Sequence, residues 1–533
     1  MTTSTSRPNV LFITTDEQRY DTLGILGNPQ VRTPHLDALA RRGTVFTRGY
    51  IQNTVCIPSR ACLMSGRYVH QHGVEYMEPV IGATPGLPPW EITVQERLRA
   101  AGYTTAAFGK IHQLPPRGWD ETALTMGKGA RWTVAEGSPL GPSQLGPVYA
   151  EWLERKRPGA YEEIYAQRRR PEYREQAQTI VNVLAADEYV DYWIGENTWR
   201  YLERPETGAA DRPSFLWCGF CGPHGPFDPP EPYASMYDPA QVPVSPTLHA
   251  RQKHAPPPLG GERESRFDRE DGEALARKIT AYYWGMVTFV DDMVGRIMDV
   301  LTRRGLWERT LVIFTTDHGE MLGDFGRLGK ENFSEAVIRA PYIIVPPGPP
   351  VGARFPRPPA FPRPHTPVGD EPGRPAQFVD SLVEHVDLVP TILDYAGLPR
   401  GRDLPGMSLR PILEDAQPDR HPATRDSILC EYVTSNRQQR LKCVRTSRYK
   451  LVFGGPESAF AAGGAVQFFD LEKDPLEQEN VADDAAYAAE VQRHLELLAH
   501  RLTWSESTPW NSGGAAAAPE VDHFGRPLAR PSA

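Results

Sequence analysis

The stretch Asn9-Val10-Leu11-Phe12-Ile13-Thr14-Thr15-Asp16-Glu17 is apolar or β-branched from Val10 to Thr15 and then ends in two acids. A half-exposed strand alternates apolar and polar residues. An unbroken run reads instead as a parallel strand buried on both faces, delivering its acids at the carboxyl end. Ligands in open α/β sheets gather at that edge. Working outward, Thr33 to Arg42 and Thr93 to Ala101 carry helical periodicity, and Thr104 to Phe108 is a second short strand running into Gly109-Lys110-Ile111-His112. Thr310 to Thr315 is a third, with Leu311-Val312-Ile313-Phe314 at its centre and Asp317-His318-Gly319-Glu320 beyond its end. Strands alternating with helices place the chain in the α/β class.

Residues 113 to 210 are charged and rich in Arg, Glu, Tyr and Trp, and read as an insertion over the site. A strand from Phe215 to Phe220 then leads to Gly222-Pro223-His224-Gly225-Pro226-Phe227, a rigid loop presenting one imidazole. Tyr283, Met286, Val287, Val290, Val294, Ile297 and Leu301 recur at helical spacing, so that segment packs one face on a core. Residues 346 to 375, dense in Pro, Gly and Arg, predict an extended loop, and Val383 to Tyr395 a further helix. A boundary falls around Gln417 to Thr424, dividing a domain over 1–424 from a smaller one over 425–533. In the second, Ser427 to Val433, Leu441 to Thr446 and Lys450 to Phe453 predict short strands of an antiparallel sheet. A helix striped with Val491, Leu495, Leu498 and Leu502 closes it. Ser512 to Ala533 is Ala/Pro/Gly-rich, either a loose tail or an arm that docks on another subunit of a homo-oligomer.

At 533 residues the chain is long enough for one large domain with insertions or for two domains. Its 40% hydrophobic and 23% charged residues are ordinary for a globular protein. A net charge of -9 argues against a broad basic surface for nucleic acid and leaves a small anionic substrate open, since such a ligand feels the local field of its pocket. The amino terminus passes into Val10-Leu11-Phe12-Ile13 without the apolar segment and cleavage site of a secretory signal, and no apolar run approaches membrane-spanning length. The expectation is a cytoplasmic protein with no membrane partner. Six cysteines (Cys56, Cys62, Cys218, Cys221, Cys430, Cys443) in so long a chain make no disulfide framework. Cys218-Gly219-Phe220-Cys221 reads as a strand end, lacking the helix opening that a redox pair needs.

The chemistry lies in Cys56-Ile57-Pro58-Ser59-Arg60-Ala61-Cys62-Leu63-Met64-Ser65-Gly66-Arg67. Taken alone, this is a buried Cys ahead of a proline-started helix. It also resembles the type I sulfatase signature, Cys-x-Pro-x-Arg with its longer continuation. In that family the Cys is oxidised after translation to formylglycine, whose hydrate is the nucleophile. A Ser or Cys that attacked a sulfate ester would be left sulfated, whereas a geminal diol expels sulfate by rebuilding the aldehyde. The resemblance runs in family order through Thr14-Thr15-Asp16-Glu17-Gln18, Gly109-Lys110-Ile111-His112, Pro223-His224-Gly225-Pro226, Thr316-Asp317-His318-Gly319-Glu320, Gly329-Lys330, Val386-Asp387-Leu388-Val389-Pro390-Thr391 and Phe469-Asp470-Leu471-Glu472-Lys473-Asp474-Pro475. It implies an alkaline-phosphatase-like fold, a large mixed sheet flanked by helices with a smaller C-terminal antiparallel sheet plus helix.

The resemblance also implies roles. Asp16, Glu17, Asp317, His318 and the modified Cys56 would hold one divalent metal. Read singly, Asp16 and Asp317 serve equally well as helix caps. Glu17 stands where an Asp or Gln usually follows the first ligand, so its longer side chain either reaches the metal or lines the site. His318 stands where many calcium-binding members have Asn, and imidazole suits a transition metal better than it suits calcium. That Asp-His pair is similar to the choline-sulfatase and phosphonate monoester hydrolase branches, and leaves Ca2+ and Mn2+ both open. Arg60 would hold the formylglycine hydrate through its fork of donors. Lys110 and Lys330 would neutralise oxygens of the transferred group. His112 would take the proton that releases sulfate, and His224, with Lys330, would protonate the leaving alcohol. The implied activity is hydrolysis of small-molecule sulfate monoesters, with a formylglycine-generating enzyme or equivalent as partner. One alternative keeps the nucleophile and takes phosphonate monoesters or phosphate diesters. Another is a catalytically silent, metal-stabilised binding protein, against which the full set of catalytic residue types argues.

Overall fold

The computed structural model describes residues 7–76, 86–113, 116–128, 147–208, 212–251, 265–348, 376–401, 403–415, 425–434, 439–455 and 465–505. The expected loop beyond 348, the expected boundary after 416 and the tail from 512 lie outside these residues. One sheet contains β1 (Asn9–Asp16), β2 (Thr44–Tyr50), β3 (Thr104–Gly109), β4 (Glu121–Leu124), β5 (Ser214–Pro223), β6 (Thr310–Thr316), β7 (Arg339–Ala340), β8 (Ile343–Val345) and β9 (Gln377–Glu384). The order is β4-β3-β5-β1-β6-β8-β2-β7, with β9 on β2. β1 is parallel to both β5 and β6, while β8 runs antiparallel to β6, so the sheet is mixed.

Every residue of β1 is buried, as an unbroken apolar run requires. Leu11 and Ile13 face one core with the helices Pro34–Arg42, Val190–Glu203 and Gly272–Arg303. Val10 and Phe12 face the other, with Cys56–Ser65, Val94–Ala100 and Leu388–Tyr395. The result is a three-layer sandwich whose central strands are dry on both sides. Helix Gly272–Arg303 buries Val290, Met293, Val294, Ile297 and Leu301. Each such side chain contributes about 1.5–3 kcal/mol. A charge at Ile297 is therefore the single change expected to unseat this helix.

Two expectations are corrected here. The helix expected over Val383 to Tyr395 begins only at Leu388, because Val383 and Glu384 end β9, a strand paired parallel to β2, and His385–Asp387 form a 3-10 turn between the two. Asp387 Oδ2 accepts from the Glu384 N–H at 2.8 Å and turns the chain from strand into helix. The segment 113–210 is not wholly an insertion. Its residues Glu121–Leu124 pair parallel with β3 as the sheet edge, and its helix Val190–Glu203 covers one face. Four edge residues, Glu-Thr-Ala-Leu, carry too little apolar pattern to announce a strand.

The second sheet is an antiparallel meander of β10 (Ser427–Val433), β11 (Arg440–Thr446), β12 (Tyr449–Gly455) and β13 (Ala465–Asp470). Leu429, Val444, Leu451 and Phe468 pack under Leu498 of helix Ala488–Trp504. The other face, Ile428, Cys430, Tyr432, Cys443 and Val452, shares a core with Tyr50, Ile51, Val55 and Leu382 of the large sheet and its loops. Cys218 and Cys221 are buried free thiols in β5, as a strand-end reading expects. Among the described residues no helix is long and apolar enough to cross a membrane.

Candidate active site

The register of β1 on β6 pairs Thr14 with Thr315 and Thr15 with Thr316, so Asp16 and Asp317 leave adjacent strand ends together. Cys56 opens helix Cys56–Ser65 against the same point. Its Sγ lies 3.1 Å from His318 Nε2 and 3.8 Å from Asp16 Oδ1. His318 Nε2 is in turn 3.9 Å from Asp16 Oδ1 and 3.6 Å from Asp317 Oδ1. Each of the four residues thus offers one ligand atom within 4.8 Å of the others, and all four are buried. His318 Nδ1 donates to Gly319 O at 3.0 Å, which fixes the tautomer and leaves the Nε2 lone pair facing the carboxylates. Two carboxylates and an oriented imidazole converging in a buried site form a donor set that fits a divalent cation.

Cations surround this group. Lys110 Nζ pairs with Asp16 Oδ2, and Lys330 Nζ lies 3.2 Å from Cys56 Sγ. Burial alone would raise Asp16, but the charges of Lys110, Arg60 and Lys330 hold it well below the usual carboxylate range. Lys110 follows Gly109, which adopts φ +88; a Cβ there would collide with the Gly219 carbonyl oxygen of β5. Only glycine lets the chain turn so closely and still send Lys110 inward.

Arg60 is buried beside Cys56 and braces the site. Its Nε donates to Asp317 Oδ2 at 2.8 Å, Nη1 to Lys110 O at 2.7 Å and Nη2 to Thr15 O at 3.3 Å. No hydrogen bond to Cys56 forms among the described residues, so the fork braces a carboxylate and two strand ends. Glu17 falls outside that group of four but forms a second candidate ligand group with Asp16 and His224, its Oε2 lying 3.1 Å from His224 Nε2 and 3.3 Å from Lys330 Nζ. Burial pushes Glu17 up to about 8, against the pull of Lys330 and with the repulsion of Glu320.

His224 donates from Nδ1 to Gly225 O at 2.5 Å, and its side chain is the most open of the group at 32% exposure. Burial and the nearby Lys330 charge hold it neutral. His112 lies in the field of Lys110 and Arg60, which add to burial in keeping it neutral. Its Nε2 donates to Met126 O at 3.1 Å, and its buried Nδ1 has no hydrogen-bond partner among the described residues. Sequence reasoning missed Ser59, whose Oγ donates to Asp317 O at 2.5 Å, and Tyr283, whose hydroxyl donates to Glu17 O at 2.5 Å. It also missed Lys128 and Asp228 beside the His224 loop. Tyr283 was hidden by its own stripe, because a phenol at helical spacing reads as core.

A fold of this layering, with paired strand-end acids facing a Cys at a helix start, is that of the alkaline-phosphatase-like hydrolases. The sulfatase family model matches residues 8–398, and the chain belongs to that family. A second model, N-sulphoglucosamine sulphohydrolase, C-terminal, matches 370–503. The chain is 27% identical to an arylsulfatase of Clostridium perfringens over 94% of its length and 95% of that protein. It is 28% identical to the multifunctional alkaline phosphatase superfamily protein PehA of Trinickia caryophylli, over 94% and 97%. The solved phosphonate monoester hydrolase of Agrobacterium radiobacter superposes with a TM-score of 0.70 at 25% identity, covering 99% of this chain and all of that one. The protein is a sulfatase enzyme.

Proposed function

We propose that the chain hydrolyses sulfate monoesters with the hydrate of a formylglycine at position 56 as nucleophile, beside one divalent cation held by Asp16, Asp317, His318 and residue 56. The observation that carries this reading is the placement of Cys56, buried at a helix start and within 3.2 Å of both His318 Nε2 and Lys330 Nζ. When bound, the cation supplies Lewis-acid polarisation of oxygen atoms at the site. One hydrate oxygen forms a bond to sulfur as the bond from sulfur to the alcohol oxygen breaks. Lys110 and Lys330 face the charge that builds on the sulfuryl oxygens. The departing oxygen takes a proton shared by the Glu17–His224 pair, whose Oε2 and Nε2 lie 3.1 Å apart. The second hydrate hydroxyl then gives its proton to His112, sulfate leaves with its oxygen, and the aldehyde re-forms and adds water. His112 Nδ1 is suited to this step, being neutral and, among the described residues, without a competing partner.

A second reading is favoured by the phosphonate monoester hydrolase likeness and by His318 in the ligand set. It keeps every residue role and changes the transferred group to a phosphonate monoester or phosphate diester. The test compares kcat/KM for an aryl sulfate and an aryl phosphonate monoester with the same leaving group, which isolates differential transition-state binding. The sulfate is expected to be the better substrate. A clear preference for the phosphonate would replace the first reading by the second. Supply of the aldehyde requires a formylglycine-generating enzyme or equivalent as partner.

A further inference from the structure

The segment from Thr125 to Lys128 touches His112 and the loop that carries His224. It leaves the end of β4, where the Thr125 N–H donates to Gly109 O at 3.0 Å. Met126 O accepts from His112 Nε2. Gly127 passes Lys110, with a Cβ position only 3.8 Å from Nζ. Lys128 then turns inward, its side chain 2% exposed, and Nζ donates to Pro226 O at 2.7 Å. The same Nζ lies 3.6 Å from Asp228 Oδ1 and 3.0 Å from Met286 Sδ.

A buried ammonium is expensive unless it is paired, so its partners show what it is holding. Pro226 and Asp228 follow His224 by two and four residues. Asp228 is wholly buried and also accepts from Arg168 Nη2 at 3.0 Å, Asn182 Nδ2 at 2.9 Å and the Tyr189 hydroxyl at 2.8 Å. Arg168 Nη1 donates back to Lys128 O at 2.9 Å, closing the ring. On the other side of His224, Asp191 Oδ1 accepts from Cys221 N at 2.6 Å and Gly222 N at 3.2 Å. The imidazole therefore sits on a loop clamped at both ends, and Lys128 is the clamp that also runs into the His112 support.

We propose that Lys128 is a positioning residue for leaving-group protonation, holding the His224 loop through Pro226 O and Asp228 on a strap that fixes His112 through Met126 O. This rests on His224 serving as the leaving-group acid. Misplacement by about 1 Å in such a site costs on the order of 100-fold in rate. General acid catalysis as a whole contributes about 100- to 10,000-fold. Good leaving groups need little protonation and poor ones need much, so loss of positioning must grow with the basicity of the departing alcohol.

The experiment measures kcat and KM of wild type, Lys128→Met, Lys128→Arg and His224→Ala on aryl sulfates of graded leaving-group basicity, alongside thermal unfolding and metal content. In Lys128→Met, kcat is expected to fall by roughly 10- to 100-fold on the most basic leaving group and by less than about 3-fold on the least basic. KM and metal content should stay near wild type. Lys128→Arg, which keeps charge and donors, should restore the wild-type dependence. The double variant Lys128→Met/His224→Ala should be no slower than His224→Ala. An equal loss on every ester, or wild-type rates in Lys128→Met, overturns the proposal. If Lys128→Met does not fold, Lys128→Gln carries the same comparison with the same two outcomes. A His224→Ala variant whose loss is the same on every ester would instead overturn the acid role of His224, which separates the two failures.

Discussion

Arg60 Nε donates to Asp317 Oδ2 at 2.8 Å, and neither side chain is reached by solvent. The pair joins the start of the Cys56 helix to the end of β6, and its remaining donors reach the ends of β1 and β3. Removing one partner of a buried pair strands the other and costs about 3–5 kcal/mol. Arg60→Ala is therefore expected to lower the free energy of urea unfolding by that amount. Arg60→Lys, which cannot fork, is expected to fold but to weaken divalent-metal affinity by about 10- to 100-fold, as loss of an outer support does elsewhere. Titration calorimetry reads the second effect. Unaltered affinity in Arg60→Lys would mean that Asp317 is held by other groups.

Stability should also fall on acidification through histidines that take no part in the chemistry. Burial lowers His35 to about 4 and His72 and His385 to about 3. His72 is locked neutral, its Nδ1 accepting from Val74 N at 3.1 Å. Unfolded, each titrates near about 6.5. Below that pH the unfolded chain binds protons that the folded one refuses. The contribution is thus complete above about 6.5 and is lost as pH falls toward the folded values. At pH 5 each histidine costs roughly 2 kcal/mol. Urea midpoints measured between pH 7 and pH 5 should drop steeply, and His385→Gln should flatten the slope by about one proton.

The sequence reading reached the site further than it reached the sheet. Val10 to Ile13 and Leu311 to Phe314 announce themselves because strands buried on both faces have no polar residues to blur the pattern. The nearness of Asp16 to Asp317 did not follow from either run, since register is a property of two strands and the intervening chain is silent about it. β2 and β9 escaped for a related reason. Thr44–Tyr50 contains Arg48 and Gly49, and Gln377–Glu384 carries Asp380 and Ser381, so both look like loop. Arg60 and Lys128 show what composition cannot give: each is a cation whose function is set by which buried oxygens it meets.

Metal choice should turn on His318. Its Nε2 is aimed by the Nδ1 hydrogen bond to Gly319 O, and a neutral nitrogen donor favours a transition metal over calcium. His318→Asn replaces that donor with an amide oxygen, which calcium prefers. Competitive loading with Mn2+ and Ca2+, read by elemental analysis, should show a lower manganese-to-calcium ratio in the variant than in the wild type. A ratio that stays the same would remove His318 from the ligand set. Asp317→Ala, by contrast, should weaken both ions, because it removes charge together with a bond.

Activity should depend on the chemical state of residue 56. Burial pushes the Cys56 thiol up to about 11, despite the opposing pull of Lys110 and Lys330. An unconverted Cys56 lacks the second hydroxyl of the hydrate, so a sulfur that attacked a sulfate ester would be left sulfated. The unconverted protein should be inert toward sulfate esters rather than slow. Preparations made with and without a formylglycine-generating enzyme should differ in activity in proportion to the aldehyde fraction of the Cys56 peptide, measured by mass spectrometry. Cys56→Ala and Cys56→Ser should lose nearly all turnover while keeping the wild-type unfolding transition. The small Cys56 side chain opens its helix and leaves the buried Leu63 and Met64 to anchor it. Turnover that does not track the aldehyde fraction, or that survives in Cys56→Ala, would exclude residue 56 as the nucleophile and move the search to another group facing Lys110 and Lys330.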